Sequence, residues 1–327
     1  MGCTEGMITI KTNTMLGLGT AALGRPQYIN IRKDKNLNPS LESFRQDSFN
    51  TLEKAYQLGI RYFDTAPGYG LAEDVLLEWL QTKEDETITV ATKWGYTYVA
   101  NFDANAKVHE VKEHSLEKLN AQWQVSNAFL PHLKLYQIHS ATLETGVLNN
   151  AAVLNRLAVL KKEHPIEIGI TTTGSNQLEV LQKAMDVTIK GTPLFDAFQV
   201  TYNVLDQSLE TMCNTLAKQG KKIIIKEALA NGRVFKNSNY KHYSKLYNTL
   251  EKLAIKYHVG IDAIALKFCQ QNIKKSIVLS GASNTEQLIS NLQANKITLL
   301  EEELNSLKKL KITPVAYWQE RKQLPWN

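Results

Sequence analysis

Short apolar runs recur along the chain, and each is followed by a longer stretch with helical periodicity. The runs are rich in Ile, Val and Tyr and are often continuously apolar, which is typical of parallel strands buried on both faces. We predict strands at 15–21, 60–66, 87–93, 133–140, 166–172, 196–203, 221–228 and 276–282. The amphipathic stretches predict helices at 48–59, 71–81, 154–163, 175–185, 211–220, 244–257 and 284–293.

This alternation favours an α/β fold of the (β/α)8 TIM barrel type over an open, doubly wound sheet. An open sheet would leave the last strand–helix unit without a place, and it usually begins with a glycine-rich nucleotide turn. GLGTAALG (17–24) has the spacing GxGxxxxG instead of GxGxxG, and irregular polar residues follow it where a helix would be needed. We therefore predict a single barrel domain over residues 1–327.

Four segments extend the predicted barrel. Residues 7–17, MITIKTNTMLG, predict two short strands around Thr12-Asn13, a hairpin that would close the barrel bottom. Residues 24–46 predict a long polar loop after the first strand, and loops of that length are usually functional or disordered. Residues 296–327 are expected to form a C-terminal extension, and residues 1–6 to be disordered or to precede a start at Met7.

The amino-acid composition limits the kinds of partner and the cellular compartment that are expected for this protein. The 327 residues are 43% hydrophobic and 21% charged, as in an ordinary soluble globular protein. The formal charge is +6, but no basic run is interleaved with aromatics, so a nucleic-acid partner is not expected. No apolar run is long enough to span a membrane. Cys3, Cys213 and Cys269 are far apart, which indicates reduced thiols in a cytoplasmic protein without a metal site. The expected assembly is a monomer or a small homo-oligomer.

Polar residues end three consecutive predicted strands. Asp64 ends the second strand, with Tyr69 in the turn after it, and Lys93 and His139 end the third and fourth. Active sites of parallel barrels lie at these strand ends. Singly, each residue fits a turn, a packing contact or an ion pair; together they favour a proton-transfer site. A buried Lys93 needs the Asp64 carboxylate, and an ammonium beside a phenol is expected to lower the pKa of Tyr69.

The segment DTAPGYGLAE (64–73), with Lys93 and Ile138-His139, resembles the aldo-keto reductases, and the resemblance covers about residues 14–300. LGRPQYIN, ATKWGYTY and IKEALANGR further resemble a bacterial branch of that family. The resemblance implies reversible hydride transfer, without a metal, between NADP(H) or NAD(H) and the carbonyl group of an aldehyde, ketone or sugar. It implies that Tyr69 donates the proton, that Asp64 and Lys93 tune the proton-donating ability of Tyr69, and that His139 directs the carbonyl oxygen.

The resemblance also implies a set of cofactor residues. Gln199 is expected near the nicotinamide carboxamide, and Thr171-Thr172 stand where the family usually has Ser-Asn. Backbone amides after the seventh strand would hold the pyrophosphate, and Arg233 would pair with it; a surface position for Arg233 is the alternative. The full set is Gly19, Thr20, Ala21, Asp64, Thr171, Thr172, Gln199, Lys226, Ala228, Leu229, Ala230, Gly232, Arg233, Gly281, Ser283, Gln287 and Asn291.

Many relatives place an arginine or lysine near the 2′-phosphate of NADP, where this chain has Gly281 and Ser283. We therefore expect NAD preference or dual use. Substrate contacts are expected from Trp94, Tyr96 and Tyr98, from the 24–46 loop, and from the tail around Trp318. Plain packing is the alternative for each of these aromatic residues.

Two other functions are compatible with the same residues. A non-catalytic or regulatory NAD(P)-binding protein would keep the cofactor site without turnover. A barrel isomerase or lyase would use Lys93 as a Schiff-base nucleophile, but it leaves Tyr69 unexplained.

Overall fold

The computed structural model describes residues 16–26, 40–103 and 105–326. Eight parallel strands close into a barrel in which each strand pairs with its neighbours in chain order and the last pairs with the first. They are β1 Leu16–Gly19, β2 Tyr62–Asp64, β3 Thr89–Trp94, β4 Leu133–Ala141, β5 Glu167–Thr172, β6 Ala197–Thr201, β7 Lys222–Lys226 and β8 Ile277–Ser280. The predicted (β/α)8 barrel is confirmed, and each predicted strand is present within a few residues of its expected bounds.

Helices surround the barrel and extend beyond its last strand. They are Leu41–Gln57, Ala72–Leu80, Leu116–Ser126, Ala151–Glu163, Gln177–Met185, Glu210–Lys218, Ser244–Tyr257, Ile261–Asn272, Thr285–Leu292, Glu301–Lys308 and Pro314–Lys322, with a single turn at Ala21–Gly24. Short 3-10 turns are Pro67–Tyr69, Asn127–Phe129, Val147–Asn149, Ala230–Gly232, Ser238–Tyr243 and Gln293–Lys296. Two small antiparallel pairs join Tyr96–Tyr98 to Glu110–Lys112 and Thr188–Ile189 to Thr192–Pro193.

The first barrel helix begins earlier than predicted. Ser40 caps it by accepting a hydrogen bond from the Ser43 amide at 3.1 Å, and the helix starts at Leu41. The predicted 24–46 loop is therefore shorter at its end, because 41–46 are helical. Residues 27–39 of that loop lie outside the described residues. So do residues 1–6 and the predicted 7–17 hairpin, except for Leu16 and Gly17, which belong to β1.

The barrel interior has an apolar layer below a polar one. The apolar layer is a cluster of inward side chains, Ala91, Leu135, Ala197, Ile224 and Leu279. Because side chains alternate along a strand, residues two positions further on point inward one layer higher. Those residues are Lys93, Gln137, Gln199 and Lys226, and Asp64 follows Tyr62, which packs against the apolar cluster, by the same step. Apolar side chains thus fill the lower part of the barrel interior, and charged and amide side chains line its mouth.

Gly169 of β5 makes room for this arrangement. A Cβ atom there would lie 2.9 Å from the Gln137 Cγ atom and 3.0 Å from a Leu135 methyl group. A side chain at position 169 would therefore push Gln137 out of the polar layer. Among the helices of the described residues, none is long and apolar enough to cross a membrane.

Candidate active site

The corner between β2 and the next helix turns Tyr69 back over the barrel. Pro67 begins a 3-10 turn that ends at Tyr69, and Gly70 follows with φ +66°. The corner packs tightly against the turn after β1, since the Leu71 amide donates to the Gly24 carbonyl at 2.7 Å. A Cβ at Gly24 would lie only 1.7 Å from the Tyr69 carbonyl oxygen. The position of Tyr69 is therefore fixed by backbone contacts between two neighbouring strand ends.

Asp64 and Lys93 form the ion pair that the sequence predicts. The Lys93 ammonium is fully buried; it donates to Asp64 Oδ1 and, at 2.9 Å, to the Thr65 carbonyl. The second Asp64 oxygen accepts from Gln199 Nε2 at 2.7 Å, with Gln137 Nε2 at 3.5 Å. The buried carboxylate is thus held by donors from three other strands, which offsets the cost of removing its charge from water.

Tyr69 and His139 meet above this pair. The Tyr69 hydroxyl lies 3.4 Å from His139 Nε2, and the two rings pack edge to face. Lys93 Nζ lies 5.0 Å from the centroid of the Tyr69 ring. The structure therefore brings all four predicted catalytic residues to one place at the strand ends.

The pKa of Tyr69 is shifted in the direction opposite to the prediction. Burial raises the pKa of Tyr69 well above its usual value, and the Asp64 carboxylate raises it further, while Arg25 opposes them. The expectation that Lys93 lowers this pKa was wrong because the Lys93 charge is directed at Asp64, whose negative charge cancels it at the phenol. Tyr69 is consequently a protonated phenol near neutral pH.

His139 is aimed into the barrel by a β-bulge. The register between β4 and β5 shifts after Ile138, and Ser140 has φ +52°. The Ser140 amide donates to Thr171 Oγ1 at 2.6 Å, so the Thr171 hydroxyl, predicted at the cofactor, also fixes the bulge. Burial lowers the pKa of His139 well below its usual value, and Lys93 and Lys226 act in the same direction. The imidazole is therefore neutral.

Arg25 is a site residue that sequence reasoning missed. Its side chain is 2% exposed, and Nη1 donates to the Gly68 carbonyl at 2.9 Å and to Glu110 at 3.0 Å. The guanidinium lies 5.7 Å from the Tyr69 ring centroid and 4.8 Å from that of Trp326. In the sequence, only the position of Arg25 just after β1 pointed to the site, because the residues that Arg25 contacts are far away from it in the chain.

The predicted substrate aromatics occupy different environments. Tyr96, in the strand paired with Glu110–Lys112, packs edge to face on His139 at 4.7 Å between ring centroids. Tyr98 packs on Phe102 at 5.3 Å. Trp94 is fully buried in the main hydrophobic core, because the alternation along β3 turns it away from the side on which Lys93 lies. Packing, not substrate contact, is the role that the structure supports for Trp94.

The predicted cofactor residues lie on the other arc of the barrel mouth. The catalytic residues lie at the ends of β2, β3 and β4, whereas the cofactor set, apart from Asp64, lies at the ends of β5, β6, β7, β8 and β1, which are contiguous in the closed barrel. Thr20 joins the two arcs, since its amide and its hydroxyl both donate to the Asp64 carbonyl, at 2.8 and 3.1 Å. Thr172 donates to Gln177 at 3.1 Å and helps to hold the β5 end.

The turn after β7 has an unusual backbone. Glu227, Ala230 and Asn231 have φ of +55°, +49° and +55°, a region that non-glycine residues seldom adopt and that is common at binding sites. Arg233 follows, fully buried, and donates to the Tyr317 carbonyl at 3.0 Å and to Glu320 at 3.2 Å. The surface alternative for Arg233 is wrong because the helix Pro314–Lys322 covers it. Its contact with a pyrophosphate stays a prediction.

The segment after β8 leads into the helix Thr285–Leu292. A Cβ at Gly281 would meet no atom within 4 Å, so the chain is open there. The Ser283 amide and hydroxyl both donate to Gln287 Oε1, at 3.0 and 3.2 Å. Asn291 is buried; its amide donates to Asp262 at 2.6 Å and accepts from the Ser280 hydroxyl at 2.7 Å. Gln287 and Asn291 therefore hold the shape of this segment.

Comparison with known proteins identifies the family. The model of the Aldo/keto reductase family matches residues 15–312. The chain belongs to the aldo/keto reductase family. Aldo/keto reductases are oxidoreductases that use NAD(P)H, and this chain is therefore an oxidoreductase.

Curated relatives cover most of this aldo/keto reductase. The NADH-specific methylglyoxal reductase of Escherichia coli is 23% identical over 331 residues, which span 91% of this chain and 95% of that protein. The L-galactose dehydrogenase of Arabidopsis thaliana is 29% identical over 268 residues, 78% of this chain and 79% of that one.

Solved structures share the fold. A glycerol dehydrogenase from Gluconobacter oxydans superposes with a TM-score of 0.67 at 19% identity, covering 90% of both chains. A mutant of the protein Gox0644 in complex with NADPH gives a TM-score of 0.60 at 18% identity, covering 91% of this chain and 89% of that one. At these identities the likeness shows the barrel, and the chemistry has to come from the residues of this chain.

A buried carboxyl group beside the site predicts a pH dependence of stability. Glu73 accepts hydrogen bonds from the hydroxyls of Thr92 and Ser126, and burial raises the pKa of Glu73 to about 7 from an ordinary value of 4.5. The folded protein binds the Glu73 proton more tightly than the unfolded chain does. The contribution of Glu73 to the free energy of unfolding therefore falls between about pH 4.5 and about pH 7 and stays low above that range.

We expect Glu73→Gln to be more stable than wild type at about pH 8, by on the order of 3 kcal/mol, with the difference vanishing towards about pH 4.5. Urea unfolding across this pH range measures the difference. The control is Glu78→Gln, an exposed carboxyl group on the same helix. A difference between Glu73→Gln and wild type that stays constant with pH would contradict the assignment.

Proposed function

We propose that this aldo/keto reductase catalyses the reversible, NAD(P)H-dependent reduction of an aldehyde, ketone or sugar carbonyl, with Tyr69 as the general acid and base. The observation that carries the proposal is the meeting of the Tyr69 hydroxyl and His139 Nε2, 3.4 Å apart, above the buried Asp64–Lys93 pair. A phenol, a neutral imidazole and a buried cation at one point provide what proton transfer to a carbonyl oxygen requires.

The chemistry divides between the cofactor and the residues of the chain. A bound nicotinamide cofactor supplies the hydride to the carbonyl carbon, or receives it in the reverse direction. His139, being neutral, orients the carbonyl oxygen by a hydrogen bond, and the Tyr69 hydroxyl passes its proton to that oxygen as the alcohol forms. Arg25, beside the Tyr69 ring, favours the phenolate that remains. In the reverse direction the phenolate takes the proton back.

The high pKa of Tyr69 is compatible with this role. The oxygen that develops during hydride addition is alkoxide-like and strongly basic, so a phenol of raised pKa can still protonate it. The burial that raises the pKa also keeps water away from the reacting atoms. Protonation therefore occurs where the substrate displaces the remaining solvent at the barrel mouth.

The residues of the chain fit a nicotinamide cofactor. Gln199 presents its amide in the polar layer beside Asp64, and the left-handed backbone after β7 forms a turn at the adjacent strand end. Gly281 leaves open space before the helix Thr285–Leu292, whose amino end favours anions. Gln199 would hold the carboxamide, the 228–232 turn the pyrophosphate, and the 281–291 segment the adenosine.

Cofactor preference follows from the absence of a cation in this last segment. Residues 280–291 contain no lysine or arginine that could pair with a 2′-phosphate, and the Escherichia coli relative carries the name of an NADH-specific enzyme. We expect either that NADH binds at least as tightly as NADPH or that NADPH binds at most about tenfold more tightly than NADH. Fluorescence titration with each cofactor measures the two dissociation constants.

A matched gain of charge tests the same segment. Ser283→Arg is expected to shift the preference towards NADPH by about tenfold, because a charge-assisted hydrogen bond to the phosphate becomes available. Wild-type protein that binds NADPH more than about tenfold more tightly than NADH would contradict this part of the proposal.

Turnover tests the proposed function as a whole. The loss of NAD(P)H absorbance over a panel of aldehydes, ketones and aldoses, and its gain over alcohols and sugars, should identify active compounds. Cofactor binding without turnover on either panel would favour the regulatory alternative. Trapping of a substrate on Lys93 by borohydride would instead favour the Schiff-base alternative.

A further inference from the structure

The imidazole of His139 is not held in the way that functional histidines commonly are. A hydrogen bond at the second ring nitrogen usually sets the direction of such a ring. In His139 that atom, Nδ1, is buried and has no hydrogen-bond partner among the described residues. Nε2 faces the Tyr69 hydroxyl at 3.4 Å. The direction of the His139 ring therefore depends on the packing of the ring and on the main chain that carries it.

The main chain at His139 is anchored by side chains from one neighbouring segment, residues 110–114. The His139 carbonyl lies 2.9 Å from His114 Nε2, and because a carbonyl can only accept, Nε2 carries a proton and donates it. The next carbonyl, that of Ser140, accepts from Lys112 Nζ at 2.9 Å. The β-bulge interrupts the ladder between β4 and β5 at these two residues, so both carbonyls are available to the segment.

The surroundings of His114 are shaped for this contact. Gly95 has φ +111°, and a Cβ there would lie 2.3 Å from the His114 ring, so a side chain at position 95 would displace the ring. The Trp94 ring packs edge to face on the other ring at 5.5 Å between centroids. Nδ1 of His114 has no hydrogen-bond partner among the described residues, and burial lowers the pKa of His114 to about 4. The imidazole is therefore neutral near neutral pH, with its single proton on the nitrogen that faces His139.

The same segment supports a ring that packs on His139. Its strand Glu110–Lys112 pairs with Tyr96–Tyr98. The Tyr96 ring packs edge to face on the His139 ring, with 4.7 Å between the centroids, and Lys112 Nζ lies 5.3 Å from the Tyr96 centroid. The segment 110–114 thus fixes both the main chain of His139 and the position of a side chain that its ring contacts.

We propose that His114 is a positioning residue, whose hydrogen bond to the His139 carbonyl holds the bulge in the form that points the His139 imidazole at the substrate oxygen. The inference rests on the proposed function and adds to it a residue that acts through His139 and does not touch the substrate. Lys112 is a second anchor, one residue further along the bulge. Loss of the anchor at His139 matters because a small misplacement of a catalytic group costs about 100-fold in rate.

Two variants at position 114 separate the hydrogen bond from the packing. His114→Leu removes the donor and is expected to lower kcat by about 10- to 100-fold, with the NAD(P)H affinity within about threefold of wild type. His114→Gln places an amide nitrogen as many bonds from the main chain as Nε2, and it should restore kcat to within about fivefold of wild type.

His132→Leu is the matched control. The His132 imidazole also contacts a main-chain carbonyl of a neighbouring strand, that of Ile88 at 3.3 Å, but at the opposite end of the barrel. Its loss should leave turnover at the wild-type level. An equal loss of turnover in His132→Leu and His114→Leu would assign both effects to the fold in general and would overturn the inference.

A double-mutant cycle shows whether His114 acts through His139. In a His139→Ala background no imidazole remains to be directed, so His114→Leu is expected to change single-turnover oxidation of NAD(P)H by less than about twofold. A loss of about 10- to 100-fold in that background would show that His114 acts on something other than His139, and the inference would be wrong.

Nitrogen-15 NMR of the imidazoles detects the contact without turnover. At about pH 7, His114 is expected to be neutral with its proton on Nε2, as the His139 carbonyl requires. His114→Leu should shift the ring signals of His139, His114→Gln should return them towards their wild-type positions, and His132→Leu should leave them unchanged. A proton on Nδ1 of His114 would contradict the hydrogen bond.

The outcomes keep the two proposals apart. Wild-type kcat in a folded His114→Leu overturns the positioning role and leaves the proposed function standing. A wild type without turnover on either panel contradicts the proposed function, and the NMR spectra then decide the contact between His114 and His139. Should His114→Leu fail to fold, Lys112→Met takes its place in the cycle; it is expected to lower kcat by about three- to tenfold, and an unchanged kcat would count against the anchored bulge.

Discussion

Tyr69→Phe is expected to reduce turnover by about 10²–10⁴-fold while the barrel and the cofactor affinity remain those of wild type. The substitution removes only the hydroxyl that lies 3.4 Å from His139 Nε2. Without it, an oxygen held by His139 loses the phenol hydroxyl that lies beside the imidazole to give it a proton. The ring, which packs against His139 and Lys93, is preserved, so the loss measures proton transfer and not packing.

The measurement is steady-state turnover with the best substrate of the panel, alongside NAD(P)H titration and circular dichroism. Tyr62→Phe is a matched control, because the buried Tyr62 hydroxyl has no hydrogen-bond partner among the described residues and lies one layer below the site. Its turnover should equal that of wild type. Wild-type turnover in Tyr69→Phe would show that the proton comes from elsewhere.

Breaking the Asp64–Lys93 pair is expected to have the largest effect on stability. Lys93→Met leaves the Asp64 carboxylate buried with only amide donors, and Asp64→Asn leaves the Lys93 ammonium buried without its counter-charge. Removal of one partner of a buried pair costs about 3–5 kcal/mol, and we expect each single variant to lose roughly that much.

The double variant Asp64→Asn/Lys93→Met separates the charge from the packing. Because neither charge remains, it should recover a large part of the lost stability, and its coupling energy should be at least about 1 kcal/mol. Its turnover should stay well below that of wild type, because the buried pair beneath Tyr69 and His139 is gone. Urea unfolding of all four proteins measures this, and strictly additive losses would contradict the pairing.

The fold was predictable because its signal is local and repeated. Each buried strand is a short apolar run, and the chain repeats that run with a helix after nearly every one. Two barrel helices were not predicted from the sequence, for identifiable reasons. Ile261–Asn272 is buried on most of its faces and therefore shows no amphipathic period, and Leu116–Ser126 buries only Leu119, Trp123 and Ser126.

The positions of the four catalytic residues were predictable for a topological reason. Consecutive strands of a parallel barrel deliver their ends to one rim, so polar residues at three such ends must meet there. The orientation of Trp94 could also have been predicted. It follows the inward residue Lys93 directly along β3, and successive side chains of a strand point to opposite faces.

The remaining features depend on contacts between distant parts of the chain. Arg25 takes its role from Gly68, Glu110 and Trp326, which only the folded chain brings together. The burial of Arg233 results from the packing of the C-terminal helix on the turn after β7. The pKa of Tyr69 depends on the whole environment of the ring, and the sequence shows the nearby cation but not the desolvation that outweighs it.

The most direct test of the account is the fate of the hydride. A carbonyl substrate is reduced with NAD(P)H deuterated at the transferable position of the nicotinamide ring, and the product is examined by mass spectrometry and NMR. The account predicts one deuterium on the carbinol carbon of the alcohol formed by wild type. An alcohol without deuterium at that carbon, or NAD(P)H bound but never oxidised with any carbonyl compound, would contradict it.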